Sequence, residues 1–199
     1  MNRRMARAMN DLINDRANGD TVVSIIGFSR GGIQATEFAN RVAKNFPDET
    51  IKFVGLFDPV GSVGHPGGLG PYRYHLPSGV LNSAEALADN ENRTWFPATL
   101  VNVKTTPVWF PGTHSDIGGA WADTELGDYV CQWMVQQAQA ASVGIDLNKI
   151  ETDFAPWDPN LNGCVTPDSF DNVGATSFSR SSGGRVVLGV GGAGAVDGP

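Results

Sequence analysis

Cysteine is almost absent from this chain: Cys131 and Cys164 are the two in 199 residues. Two thiols cannot build a disulfide framework, and they have no zinc-ligand spacing, so a packed core has to hold the fold. Positive charge is in the minority, with 14 Lys and Arg against 21 Asp and Glu and a formal net charge of −7. That balance argues against nucleic acid, or an anionic membrane surface, as an electrostatically recruited partner. Any lipid contact would be apolar. Long hydrophobic runs are missing too. The longest, residues 22–28, is interrupted by Ser24 and Gly27 and is far too short to be a transmembrane segment. The first 18 residues carry Arg3, Arg4 and Arg7 but space their apolar side chains singly. Without an apolar h-region they do not read as a secretory signal, which predicts a soluble protein that is cytoplasmic or delivered without a Sec signal peptide.

The 41% of apolar residues suffices for one sizeable core. Met5, Ala8, Met9, Leu12 and Ile13 mark one face of an opening helix that ends at Ala17-Asn18-Gly19-Asp20. Residues 21–26 are β-branched and nearly all apolar, as a parallel strand covered on both faces would be. A turn over residues 27–32 leads to helical spacing at Ala35, Phe38, Ala39 and Val42, closed by Phe46-Pro47. Residues 51–57 then read as a second strand, and the alternation predicts an α/β fold with a parallel sheet.

Residues 59–77 form a Gly- and Pro-rich loop containing His65 and His75. A short helix is expected at 83–87, and strand or strand-edge material at 99–103 and 107–110. Asp123 or Thr124 caps a last helix whose apolar face is Val130, Trp133, Met134, Ala138 and Ala141. The expected division is one domain over residues 1–173 and a Gly/Ser-rich tail over 174–199.

The chemistry centres on Gly27-Phe28-Ser29-Arg30-Gly31, a G-x-S-x-G between a buried strand and a helix. Such a bend needs glycines where backbones approach, and it holds Ser29 strained with its hydroxyl presented. It also aims the Arg30 N–H at a developing oxyanion. Because a serine hydroxyl is a poor nucleophile at neutral pH, a base and an orienting acid must follow. Asp58 comes directly after the second strand, at the same carboxyl edge of a parallel sheet. His114 follows a further strand-like segment, giving the order Ser29, Asp58, His114. Asp-Pro is also a common turn opener, and His65 and His75 are rival bases without a strand to position them. Asp116 reads as a loop-capping residue first, then as a carboxylate supporting the histidine, an alternative acid or, with His114, half of a metal site. Asp158-Pro159-Asn160-Leu161-Asn162-Gly163 has the look of a calcium loop, but Ser169 stands where the closing Glu should be, so an Asx-rich turn is expected and no metal or other cofactor.

Three blocks in order carry a family resemblance: Gly27-Phe28-Ser29-Arg30-Gly31, then the run from Phe53 through Asp58-Pro59-Val60-Gly61 to Gly64, then Trp109-Phe110-Pro111-Gly112-Thr113-His114-Ser115-Asp116-Ile117-Gly118-Gly119. They resemble the signature blocks of the type VI secretion phospholipase-effector-like α/β-hydrolases, over residues 22–121. Ala86-Leu87-Ala88-Asp89-Asn90-Glu91-Asn92-Arg93 is similar to that family's intervening segment. The resemblance implies hydrolysis of acyl esters, typically phospholipids, with Ser29 as nucleophile, Asp58 as acid and His114 as base.

Departures accompany it. The family has strands and an Asp-Gly-Thr-type segment before the bend, whereas one helix precedes it here, and Pro59 replaces a frequent threonine. The expectation is therefore a partial α/β-hydrolase fold lacking its N-terminal strands, with one oxyanion donor lost and a partner chain completing the sheet. Three functions follow: a serine-dependent ester hydrolase of lipase or phospholipase type, acyl transfer to an alcohol by the same residues, or an inert hydrolase-like module for binding or attachment.

Overall fold

The structure is a computed structural model that describes residues 2–62, 72–119, 125–145 and 185–189. Its elements are α1 (Asn2–Ala17), β1 (Val22–Phe28), α2 (Arg30–Asn45), β2 (Thr50–Phe57), β3 (Asn82–Ala88), β4 (Val108–Phe110), α3 (His114–Ile117), α4 (Glu125–Ala140) and β5 (Arg185–Gly189). The strands make one parallel sheet in the order β4-β3-β2-β1-β5. This is the α/β arrangement that the alternation of periods predicts.

Two apolar clusters cover the sheet. On one side, Met5 and Leu12 of α1 and Ile33, Phe38 and Val42 of α2 pack on Val23, Ile25, Ile51, Val54 and Leu56. On the other, Ile117 of α3 and Val130, Met134 and Ala138 of α4 pack on Phe53, Ala84, Ala86 and Phe110. Period-two alternation alone would put Ile51 and Phe53 on one face. The β1/β2 register shifts between Val23 and Ser24, pairing Val23 with Ile51 but Ser24 with Phe53. The extra residue on β2 turns Phe53 to the α4 side while Val54 and Leu56 stay with α2.

Three expectations need correction. Residues 83–87 are strand rather than helix: β3 lies beside β2 and is buried along nearly its whole length. The Ala-Glu-Ala-Leu-Ala composition favours a helix locally, but small side chains also fit a strand squeezed between two neighbours, and tertiary pairing overrides propensity. Residues 99–103 are irregular; Ala98 makes an isolated bridge to Val60, and Val101 plugs the core. The strand material expected there is absent because its N–H groups find scattered partners instead of a ladder: Thr99 donates to Pro59 O, Val101 to the Glu85 carboxylate and Val103 to Val101 O. The third correction is at β1. Beside the expected β2, β1 has a second neighbour in β5, from the segment expected to be a tail, with Ile25 opposite Val187. Val186-Val187-Leu188 supplies a β-forming run inside the Gly/Ser-rich segment, so residues 185–189 extend the sheet instead of trailing as a tail. The rest of 174–199, His65, Cys164 and the turn at 158–163 lie outside the described residues.

Candidate active site

Parallel pairing brings the chemistry to one edge. Phe28, the last residue of β1, is in register with Phe57, the last of β2, and Phe57 with Ala86 of β3. The next residues along β1 and β2 are Ser29 and Asp58, which therefore emerge side by side, about 5 Å apart at the backbone as neighbouring strands are. β4 ends at Phe110, and four residues later His114 opens α3 above the same edge.

The bend at Ser29 is tight. Its backbone sits at φ 58 and ψ −132, a region that non-glycine residues rarely occupy. Ser29 N–H donates to Phe57 O at 3.0 Å, and Ser29 O accepts from Gly32 N–H at 2.9 Å and Val60 N–H at 3.2 Å. These bonds to β2 and α2 hold the strained residue in place. A Cβ on Gly27 would lie 2.5 Å from Gly31 O, so only glycine lets the first turn of α2 come this close to the end of β1. The residue is less open than the bend predicts: Ser29 keeps 8% of its surface.

Asp58 also has positive φ, at 36°, a conformation that Asp tolerates better than most residues. Its N–H donates to Ala86 O at 2.7 Å, and its Oδ1 accepts from Ala88 N–H at 3.1 Å. Oδ2 faces His114 Nδ1 at 2.7 Å. His114 Nε2 is 2.8 Å from Ser29 Oγ. A carboxylate can only accept, so in this arrangement Nδ1 is the donor to Asp58 and Nε2 of the neutral ring accepts from the Ser29 hydroxyl. Asp58 is fully buried and His114 keeps 4% of its surface, so the bond between them is shielded from bulk solvent. The imidazole stacks on Phe28, with centroids 4.6 Å apart, and meets Phe96 at 4.8 Å.

The other sequence candidates lie outside this chain of contacts. Asp116 accepts from Thr113 N–H at 2.6 Å and Thr113 Oγ1 at 2.8 Å, closing the first turn of α3. Arg30 opens α2 with an exposed guanidinium, and at the first helical position its N–H has no carbonyl one turn back. His75 is exposed, and its backbone carbonyl accepts from Asn40 of α2 at 2.7 Å. Among the described residues no group of three or more His, Cys, Asp or Glu is placed to hold a metal ion, and no helix is long and apolar enough to cross a membrane. Burial pushes the Cys131 thiol up to about 12.

Sequence reasoning passed over Phe28, Phe96 and Glu91 around the imidazole, and Glu85 beneath the acid. Glu85 had a signal: one charge in an otherwise apolar run. Its side chain is buried, and its oxygens accept from Val101 N–H at 3.1 and 3.3 Å. Burial raises its carboxyl to about 7 against the pull of that N–H, and the Asp58 charge adds to the rise.

A parallel sheet with helices on both faces, presenting a hydroxyl, an imidazole and a carboxylate at its carboxyl edge, is an α/β arrangement of hydrolase type. The family model for the catalytic domain of Tle1-like type VI secretion phospholipase effectors matches residues 34–137, and the chain belongs to that family. The matched segment contains Asp58, Glu91 and His114 and begins just after Ser29. Among solved structures, a Tle1 effector bound to the VgrG spike of the type 6 secretion system is 25% identical with a TM-score of 0.46, over 52% of this chain and 25% of that one. The chain thus spans about a quarter of the length of that solved relative. A comparison with curated proteins finds no match.

Proposed function

We propose that the chain is the catalytic part of a serine-dependent carboxylic ester hydrolase of phospholipase type. The observation that carries the reading is the relay Ser29 Oγ to His114 Nε2 at 2.8 Å and His114 Nδ1 to Asp58 Oδ2 at 2.7 Å, built on a strained bend at the sheet edge. In this reading His114 takes the Ser29 proton as the hydroxyl attacks an ester carbonyl, and Asp58 steadies the imidazolium that forms. The Arg30 N–H, at the N-terminus of α2, is one donor to the oxyanion. The protonated His114 then releases the alcohol, and the same imidazole draws a proton from the water that frees the acyl group.

An acyl-lipid substrate suits the surroundings. The segment that lays Phe96 on His114 exposes Trp95 and Leu100, each with more than half its surface open, at 54% and 62%. With a net charge of −7, such apolar side chains are the means by which this chain meets lipid. Membership of an effector family fits delivery through a secretion apparatus without a Sec signal.

The test is covalent labelling with a fluorophosphonate, paired with release of fatty acid from phosphatidylcholine and phosphatidylethanolamine vesicles. Wild-type protein should label at Ser29 and release fatty acid. Ser29→Ala should lose the label entirely and at least about 10³-fold of the activity. Folded wild-type protein that takes no label would instead favour the inert binding module.

A further inference from the structure

The loop after β3 is tied to the loop after β4 at successive points. Asp89 N–H donates to Phe110 O at 2.9 Å, Asn90 N–H to Gly112 O at 3.0 Å, and Gly112 N–H to Asn90 Oδ1 at 2.7 Å. The next residue, Glu91, reaches His114 itself: its Oε2 accepts the His114 backbone N–H at 3.1 Å. That side chain is 95% covered. The same carboxylate holds Arg93, with Oε1 accepting from the Arg93 backbone N–H at 2.7 Å and from Nε at 2.9 Å, and Oε2 accepting from the guanidinium at 2.7 Å. Held flat in this fork, the guanidinium lies 3.9 Å from the Phe96 ring centroid, and the Phe96 ring lies 4.8 Å from that of His114. The Arg93 pairing, with the N–H groups of Arg93 and His114, keeps the Glu91 carboxyl down at about 2, so it remains an anion.

We propose that Glu91, Arg93 and Phe96 form a positioning brace for His114. Glu91 sets where the histidine backbone starts α3, and Arg93 orders Phe96 so that its ring limits the imidazole's rotation. The inference rests on the reading of His114 as the general base.

The physical need is evident in the geometry. His114 must satisfy two partners on different strands, Asp58 and Ser29, at 2.7 and 2.8 Å. It stands at the first residue of a four-residue helix, an element too short to fix a side chain by itself. An imidazole free to swing by an ångström would lose one of the two bonds, and misplacement of that size costs about 10²-fold in rate. Phe28 gives the ring one aromatic contact from β1, and the brace adds a second together with a backbone anchor. The contacts of the three run to the His114 backbone, to one another and to the imidazole ring, so they act through the histidine.

Two variants separate positioning from plain structural support. Phe96→Leu removes the ring contact, and Arg93→Gln removes the cation while leaving an uncharged donor. Each is compared with wild type by the rate of fluorophosphonate labelling at Ser29 across pH, by melting temperature, and by the nitrogen-15 and proton resonances of the three imidazoles. At unchanged melting temperature within a few degrees, both variants should label roughly tenfold or more slowly at pH 7, and the His114 imidazole resonances should shift. Phe96→Tyr, which keeps the ring, should restore the rate. If the His114 resonances and the labelling rates match wild type in both variants, or if the rates fall only in proportion to the unfolded fraction, the brace is refuted. Wild-type protein that resists the probe overturns the serine-hydrolase reading alone. The imidazole resonances then still decide the brace, a shift supporting it and unmoved signals overturning it.

Discussion

Glu85 shows how one side chain ties stability to the site. It lies on β3 opposite Leu56 of β2, wholly buried, and accepts a hydrogen bond from the N–H of Val101. Its carboxyl stands at about 7, above the ordinary 4.5, because burial disfavours the charge. A carboxyl raised on folding binds its proton more tightly in the native chain than in the unfolded one. Its contribution is complete below pH 4.5, declines as pH climbs toward 7, and is gone above that. Glu85→Gln keeps an acceptor for Val101 and has no charge to bury. Its stability curve should be flatter than wild type between pH 5 and 7, and at pH 8 it should be the more stable protein by about 1 to 2 kcal/mol in urea titrations. An unchanged slope would mean that Glu85 ionises in the folded chain as it does in water.

Among the elements, the junction of β1 and α2 leaves little room for change, because backbone meets backbone there. Gly27→Ala forces a methyl against Gly31 O, whose position the helix fixes, and neither backbone can yield without moving Ser29. The expected cost is about 2 to 4 kcal/mol in denaturant unfolding, together with loss of fluorophosphonate labelling. Gly118 makes a useful contrast. It sits just beyond α3, and a Cβ there would drive into the Phe28 ring, which is a side chain and can tilt. Gly118→Ala should therefore leave the fold nearer to wild type in urea titrations while slowing Ser29 labelling, because the displaced ring is the one stacked on His114.

For the molecule as a whole, β5 decides whether β1 is a central or an edge strand. A parallel strand as apolar as β1 exposes both a hydrophobic face and unpaired N–H groups when it has one neighbour. Val187 pairs with Ile25 in the middle of the β1/β5 ladder. Val187→Pro deletes a ladder N–H and should lower stability by about 3 kcal/mol or more, with a growing fraction of soluble aggregate by light scattering. A variant as stable and monodisperse as wild type would show that the sheet ends at β1. Across the molecule, the family match takes in most of α2 through most of α4, while β1, Ser29 and β5 lie outside it.

The residues alone announced the bend at Ser29, the order of hydroxyl, carboxylate and imidazole, and the parallel grammar of the sheet, because each is written within a few neighbouring positions as a turn signal or a period. They could not assign residues 82–88 to a strand, since Ala-Glu-Ala-Leu-Ala suits helix or strand until β2 and β4 stand on either side. Nor could they place residues 185–189 beside β1, a pairing across about 160 positions with no local mark. The surroundings of His114 were hidden for the same reason: Phe28, Glu91 and Phe96 become its neighbours only when three strand ends meet at one edge. Short-range chemistry was legible because adjacent residues constrain one another directly, whereas contacts between distant segments exist only once the whole sheet has closed around them.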